Sequence, residues 1–118
     1  MLIAFACDHG GFPFRESILE FLKKSGYETI DLGPEQVETL DDFPGYANSV
    51  CDVILSGKAE KGILICGTGI GMSIAANRHT GIRAVLSYAP EIAKIGRSHN
   101  DANVICFGAR TMKIEDVL

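Results

Sequence analysis

An α/β domain built on a five-stranded parallel sheet is the fold this sequence predicts, and three observations carry it. Short apolar runs of strand length alternate with amphipathic stretches of helical spacing along the whole chain. That β-α-β-α order needs crossover connections, which join parallel neighbours. The glycine-rich segments follow the apolar runs, where such sheets carry their ligand loops. The architecture expected is a Rossmann-like doubly wound sheet with helices on both faces, in a single domain over residues 1–118.

Leu2 to Cys7 is the first strand, an apolar run that stops at Asp8. Phe12 to Ser25 is the first helix: Phe14, Ile18, Phe21 and Leu22 recur at three- and four-residue spacing. Pro13 suits its first turn and Gly26 its C-cap. Glu28 to Leu32 is a second strand, followed by a polar loop from Gly33 to Asp42. Tyr46 to Ser56, after Pro44, is a second helix, and Ile63 to Cys66 a third strand. A helix begins at Met72 and runs to Asn77, Ile82 to Leu86 is strand four, Pro90 to Ser98 a helix, and Val104 to Phe107 strand five. Thr111 to Leu118 reads as the opening of a C-terminal helix that is truncated. Either a neighbouring subunit covers the last strand or the chain is shorter than its fold requires.

The net charge of −4 argues against a nucleic-acid surface, which needs clustered Lys and Arg. It leaves room for a small phosphorylated ligand, which needs only a few local cations. No apolar run is long enough to cross a bilayer, and Leu2 to Ala6 lacks the basic leader of a signal peptide. Cys7, Cys51, Cys66 and Cys106 form no Cys-x-x-Cys pair and no zinc-spaced cluster, so no metal is expected. Cys7, Cys51 and Cys106 lie in apolar segments and read as small buried hydrophobes. Reduced thiols and a cytoplasmic location follow.

The segment with most chemistry is Gly62 to Ser73, Gly-Ile-Leu-Ile-Cys-Gly-Thr-Gly-Ile-Gly-Met-Ser. A strand ending in Cys66 runs into a loop with glycine at 67, 69 and 71, then a helix. Such a turn exposes backbone N–H groups at a helix N-terminus, an anion site that also favours a thiolate beside it. Nucleotide motifs do not fit: the dinucleotide fingerprint needs glycine where Met72 stands, and a Walker loop needs a lysine that first appears at Lys94. Cys66 reads at this point as a buried thiol ending a strand, as a general base, or as a covalent nucleophile, the last without a Cys-His-Asn order to support a papain-like arrangement. Asp8-His9-Gly10-Gly11 stands where strand one turns into helix one, and could be a turn or a ligand contact. His99-Asn100-Asp101 closes a helix, where a histidine can cap the dipole or serve a site. His79 has no polar companion in the sequence and reads as a surface residue. Arg110, after strand five, is the best-placed of the arginines for a phosphate.

Together these segments closely resemble the ribose-5-phosphate isomerase B family, which includes the galactose-6-phosphate isomerase subunits. The matching pieces are Ala6 to Gly11, Asp42 to Ala47, Gly62 to Asn77, Gly81 to Ala84, His99 to Val104 and Gly108 to Arg110, so the resemblance runs the length of the chain. It implies a metal-independent, cofactor-free isomerase that interconverts a phosphorylated aldose and ketose through an enediolate. Ribose 5-phosphate is the expected substrate, with galactose or allose 6-phosphate, or a non-catalytic sugar-phosphate-binding subunit, as alternatives. By the resemblance Cys66 shuttles the proton, the N–H groups of Gly67, Gly69 and Gly71 hold the oxyanion, and Thr68 and His99 help open the sugar ring. Asp8, Tyr46 and Asn100 contact sugar hydroxyls, and His9 and Arg110 the phosphate. A homodimer or dimer of dimers is implied as well. Family members continue through a long C-terminal helix that packs on a partner and carries further arginines.

Overall fold

Residues 3 to 7 offer only apolar side chains, and both faces of that run are covered, as a central parallel strand requires. The computed structural model describes residues 2–33, 43–110 and 112. Its strands are β1 (Leu2–Cys7), β2 (Glu28–Asp31), β3 (Lys61–Cys66), β4 (Ala84–Leu86) and β5 (Val104–Gly108). Its α-helices are α1 (Arg15–Lys24), α2 (Phe43–Leu55), α3 (Ile70–Asn77) and α4 (Pro90–Asn100). The five strands form one sheet in the order β2-β1-β3-β5-β4, every pair parallel. The sequence expectation of a Rossmann-like sheet is met.

Strand alternation divides the core. Ala4, Ala6, Leu64, Cys66, Val104 and Cys106 face α2 and α3, where Val50, Met72 and Ala76 meet them. Ile3, Phe5, Cys7, Ile65 and Phe107 face α1 through Ile18 and Leu22. The fourth helix lies on that second side: a methyl group on Gly96 would stand 3.1 Å from Val85 Cγ2. The chain leaves β1 by α1 to reach β2, then returns by α2 to β3 on the far side of β1. The switch point of the sheet therefore lies between the C-terminal ends of β1 and β3, where such folds bind ligands.

Element ends differ from expectation for local reasons. The first helix opens as a 3-10 turn, Phe12–Phe14, with Pro13 in its first turn. β3 starts two residues early because Ile3 and Ala4 pair with Lys61 and Gly62. β4 starts two residues late because Ile82 N–H is used in a turn, bonding His79 O. The last helix runs on to Asn100, where Asp101 takes the left-handed conformation at φ 51 and its N–H bonds Gly96 O. The polar loop over 34–42 and most of the helical opening from Thr111 to Leu118 lie outside the described residues.

All four cysteines are buried, and none is joined in a disulfide. Burial pushes the Cys51 thiol from an ordinary 9.0 up to about 11, with the Asp52 charge adding to it. Burial raises Cys106 as well, with Cys66 and Cys51 adding to it. Unfolding frees both thiols to ionise near 9.0, so their contribution to stability is complete below that pH. It is lost as pH climbs from 9.0 towards about 11, by about 1.4 kcal/mol per pH unit and thiol. Urea melts at pH 7, 9 and 10.5 are expected to show this decline, and Cys51→Ala to flatten it by about half.

Candidate active site

Cys66 is the last residue of β3, with 5% of its surface exposed, and the chain turns back over it at once. Gly69 makes that turn possible. It sits at φ 82, which a side chain disfavours. There is also no space: a methyl group there would lie 2.5 Å from Leu86 Cδ1 and 2.9 Å from the Phe107 carbonyl carbon. The outcome is that Gly69 N–H donates to Cys66 Sγ at 3.1 Å. An ionised sulfur accepts such a bond more strongly than a neutral one. The left-handed Gly69 also starts α3 at Ile70, two residues before the apolar pattern suggested.

Past Gly69 the first turn of α3 supplies further donors. Ile70 N–H bonds Thr68 Oγ1 at 3.2 Å, so the Thr68 hydroxyl is partly engaged in holding the turn. Gly71 and Met72 follow, and their N–H groups have no earlier helical carbonyl to bond. Together they form the cradle of N–H donors expected from the glycine spacing.

Two neighbouring loops close on it. Beyond β5, Ala109 N–H bonds Cys66 O at 2.9 Å and Arg110 N–H bonds Gly67 O at 2.8 Å, continuing the ladder into the loop. The Arg110 side chain then lies over Gly67: a methyl group on Gly67 would be 3.2 Å from its Cδ and 3.4 Å from Nη1. Beyond β1, Asp8 N–H bonds Ile65 O at 3.1 Å, and the buried Asp8 carboxylate accepts Gly11 N–H at 3.0 Å. Gly10 packs against the cradle, its missing side chain leaving space 2.8 Å from Gly67 N. His9 is half-buried in the same loop. Tyr46, on α2, lies at this edge too, beside Gly33, whose carbonyl accepts Cys7 N–H at 3.0 Å.

The fold thus brings Asp8, His9, Tyr46, Cys66, Gly67, Thr68, Gly69, Gly71 and Arg110 to one edge of the sheet. It does not bring His99 and Asn100 there within one chain. The fourth helix starts beyond the C-terminal end of β4 and runs back over 11 residues, about 16 Å. It finishes where Arg83 Nη1 bonds Asn100 O, just before β4 begins. His99 is therefore at the opposite edge from Cys66. His79 differs from expectation: its Nε2 meets Asn48 Oδ1 at 2.8 Å, tying α3's end to α2. Tyr88 was not singled out by any motif, yet its hydroxyl reaches the cradle. Only the tertiary fold places it there.

Among the described residues no group of three or more His, Cys, Asp or Glu is arranged to hold a metal ion, and no helix is long and apolar enough to cross a membrane. A sequence model of the family described as Ribose/Galactose Isomerase matches residues 3–118. Ribose-5-phosphate isomerase B of Escherichia coli (strain K12) is 47% identical over 113 residues, covering 96% of this chain and 75% of the relative. A ribose 5-phosphate isomerase structure from Thermotoga maritima superposes with a TM-score of 0.95 at 45% identity, covering 98% of this chain and 79% of that one. The Mycoplasma genitalium enzyme, solved with bound ribulose-5-phosphate, superposes with a TM-score of 0.92 at 37% identity over 98% and 77% of the two chains. The chain belongs to the ribose/galactose isomerase family.

Proposed function

We propose that this chain is an aldose–ketose isomerase that interconverts ribose 5-phosphate and ribulose 5-phosphate, with Cys66 as the proton-transfer group. The observation that carries the reading is the Gly69 N–H aimed at a buried Cys66 sulfur within a loop of further N–H donors. In the open-chain aldose, the Cys66 thiolate removes the proton from C2, forming S–H and a C1–C2 enediolate. The N–H groups of Gly67 and Gly71 stabilise the oxygen that gains charge, while Gly69 N–H stays on the sulfur; preorganised donors of this kind contribute most in enediolate chemistry. The thiol returns the proton to C1 while the O2 hydroxyl proton passes to O1, giving the ketose with atoms balanced.

Placement supports the remaining roles that the resemblance implies. Arg110, lying over Gly67, and His9, in the facing loop, bind the phosphate. Asp8, anchored by Gly11 N–H, and Tyr46 contact sugar hydroxyls, and Thr68 assists ring opening. His99 and Asn100 serve a second copy of the chain in a homodimer or dimer of dimers, His99 in ring opening and Asn100 on a hydroxyl. Their distance from their own Cys66 supports this, as do the exposed Ile70 and Ile74 on α3 and Ile92 and Ile95 on α4. Four buried cysteines outside any disulfide suit the reducing cytoplasm, and the reaction belongs to pentose phosphate metabolism.

Turnover of ribose 5-phosphate, galactose 6-phosphate and allose 6-phosphate by the purified protein tests the assignment. The pentose is expected to be converted fastest. Preference for a hexose phosphate would reassign the substrate, and calorimetric binding without turnover would make the chain a non-catalytic subunit.

A further inference from the structure

The peptide that points its N–H at Cys66 is also held from its other end. Tyr88, in the turn between β4 and α4, donates its phenolic O–H to the Thr68 carbonyl at 2.7 Å. That carbonyl belongs to the same amide as the Gly69 N–H, which donates to Cys66 Sγ at 3.1 Å. Phenol, amide and sulfur therefore form one chain of hydrogen bonds. Donation to a carbonyl draws electron density towards its oxygen and makes the N–H of that amide a stronger donor.

The turn is built to deliver the phenol. Ser87 is buried; its N–H bonds Cys106 O at 3.1 Å and its hydroxyl bonds Ala89 O at 2.8 Å. Ala89 is extended at φ −154, and Pro90 opens the helix that follows. The Tyr88 ring itself is 45% exposed, so core packing does not account for its position. The loop it reaches is rich in glycine, where a peptide can rotate at little steric cost. Rotation of the Thr68–Gly69 amide would turn its N–H away from the sulfur.

We infer that Tyr88 is a positioning residue of the isomerase site: its hydroxyl fixes the Thr68–Gly69 amide with the N–H on Cys66 and strengthens that bond. The inference rests on Cys66 being the proton-transfer group. Other ionisable groups around the sulfur are Cys106 on β5, Cys51 on α2, Arg110 over Gly67, and Asp8 and His9 in the loop after β1. None of them is altered by removing the phenol oxygen.

Tyr88→Phe removes one oxygen from a half-exposed ring. The rate of Cys66 alkylation by iodoacetamide, followed by peptide mapping from pH 5 to 10, reads the sulfur directly. The midpoint of that profile is expected to move to higher pH, with alkylation at pH 7 slowed about two- to fivefold. Turnover should fall by a similar factor with KM unchanged. An unmoved profile overturns the inference, whether or not the variant loses thermal stability. A shifted profile in a protein that isomerises no sugar phosphate would keep the hydrogen-bonded coupling and retire the isomerase reading.

Discussion

Cys66→Ala is expected to lower turnover of ribose 5-phosphate by about 10²–10⁴-fold, the contribution a general base makes. The cradle donors bear on the sulfur itself, through the Gly69 N–H. The other thiols, Cys7, Cys51 and Cys106, are fully buried in strand or helix positions. The Asp8 carboxylate is buried and accepts Gly11 N–H through one of its oxygens. The substitution deletes one buried atom and leaves Gly69 N–H without its acceptor, so a stability loss of about 1–3 kcal/mol is expected. Cys66→Ser separates the two effects, because its hydroxyl still accepts that N–H but is a far weaker base. Circular dichroism should report a native fold for both variants, and calorimetry nearly unchanged binding of the sugar phosphate. Activity within twofold of the parent in either variant would remove Cys66 as the base.

His99 presents the second large effect and a sharper geometric question. His99→Asn is expected to slow turnover of the cyclic aldose much more than that of the open-chain ketose, because only the former must open its ring. Equal losses would remove the ring-opening role. His99 stands at the opposite sheet edge from its own Cys66, so under the proposed assembly each site takes it from a neighbour. Mixing Cys66→Ala with His99→Asn chains, both impaired on the cyclic aldose, is therefore expected to restore activity. If subunits exchange freely, half the dimers are mixed and each has one intact site, giving about a quarter of parent activity. No recovery after verified exchange would place His99 outside the site.

Much of this was legible from residue order. β1 matches its expected bounds because every residue from Leu2 to Cys7 is apolar and Asp8 ends the run. The glycine spacing at 67, 69 and 71 pointed to a tight turn of N–H donors after the strand end, and the turn is there, with Gly69 at φ 82. Ends set by a partner were less legible. Lys61 is polar and joins β3 only because Ile3 lies opposite it, a fact held by another segment of the chain. Tyr88 illustrates the same limit at the site. It reaches Thr68 across twenty positions of sequence, and no spacing rule encodes the contact. His79 and Asn48 meet for a similar reason, through the packing of α3 on α2. The helical position of His99 was readable, but its edge of the sheet required the direction of α4.

The central claim is that Cys66 moves a proton between C2 and C1 of a phosphorylated aldose. Isomerisation of ribose 5-phosphate in D₂O, followed by proton NMR of the product, tests it most directly. Ribulose 5-phosphate is expected from the parent protein and not from Cys66→Ala, with deuterium at C1 in the fraction of turnovers in which the sulfur-bound proton exchanges with solvent before it is returned. A folded parent that converts no phosphorylated aldose, or a Cys66→Ala variant that forms the ketose at the parent's rate, would contradict it.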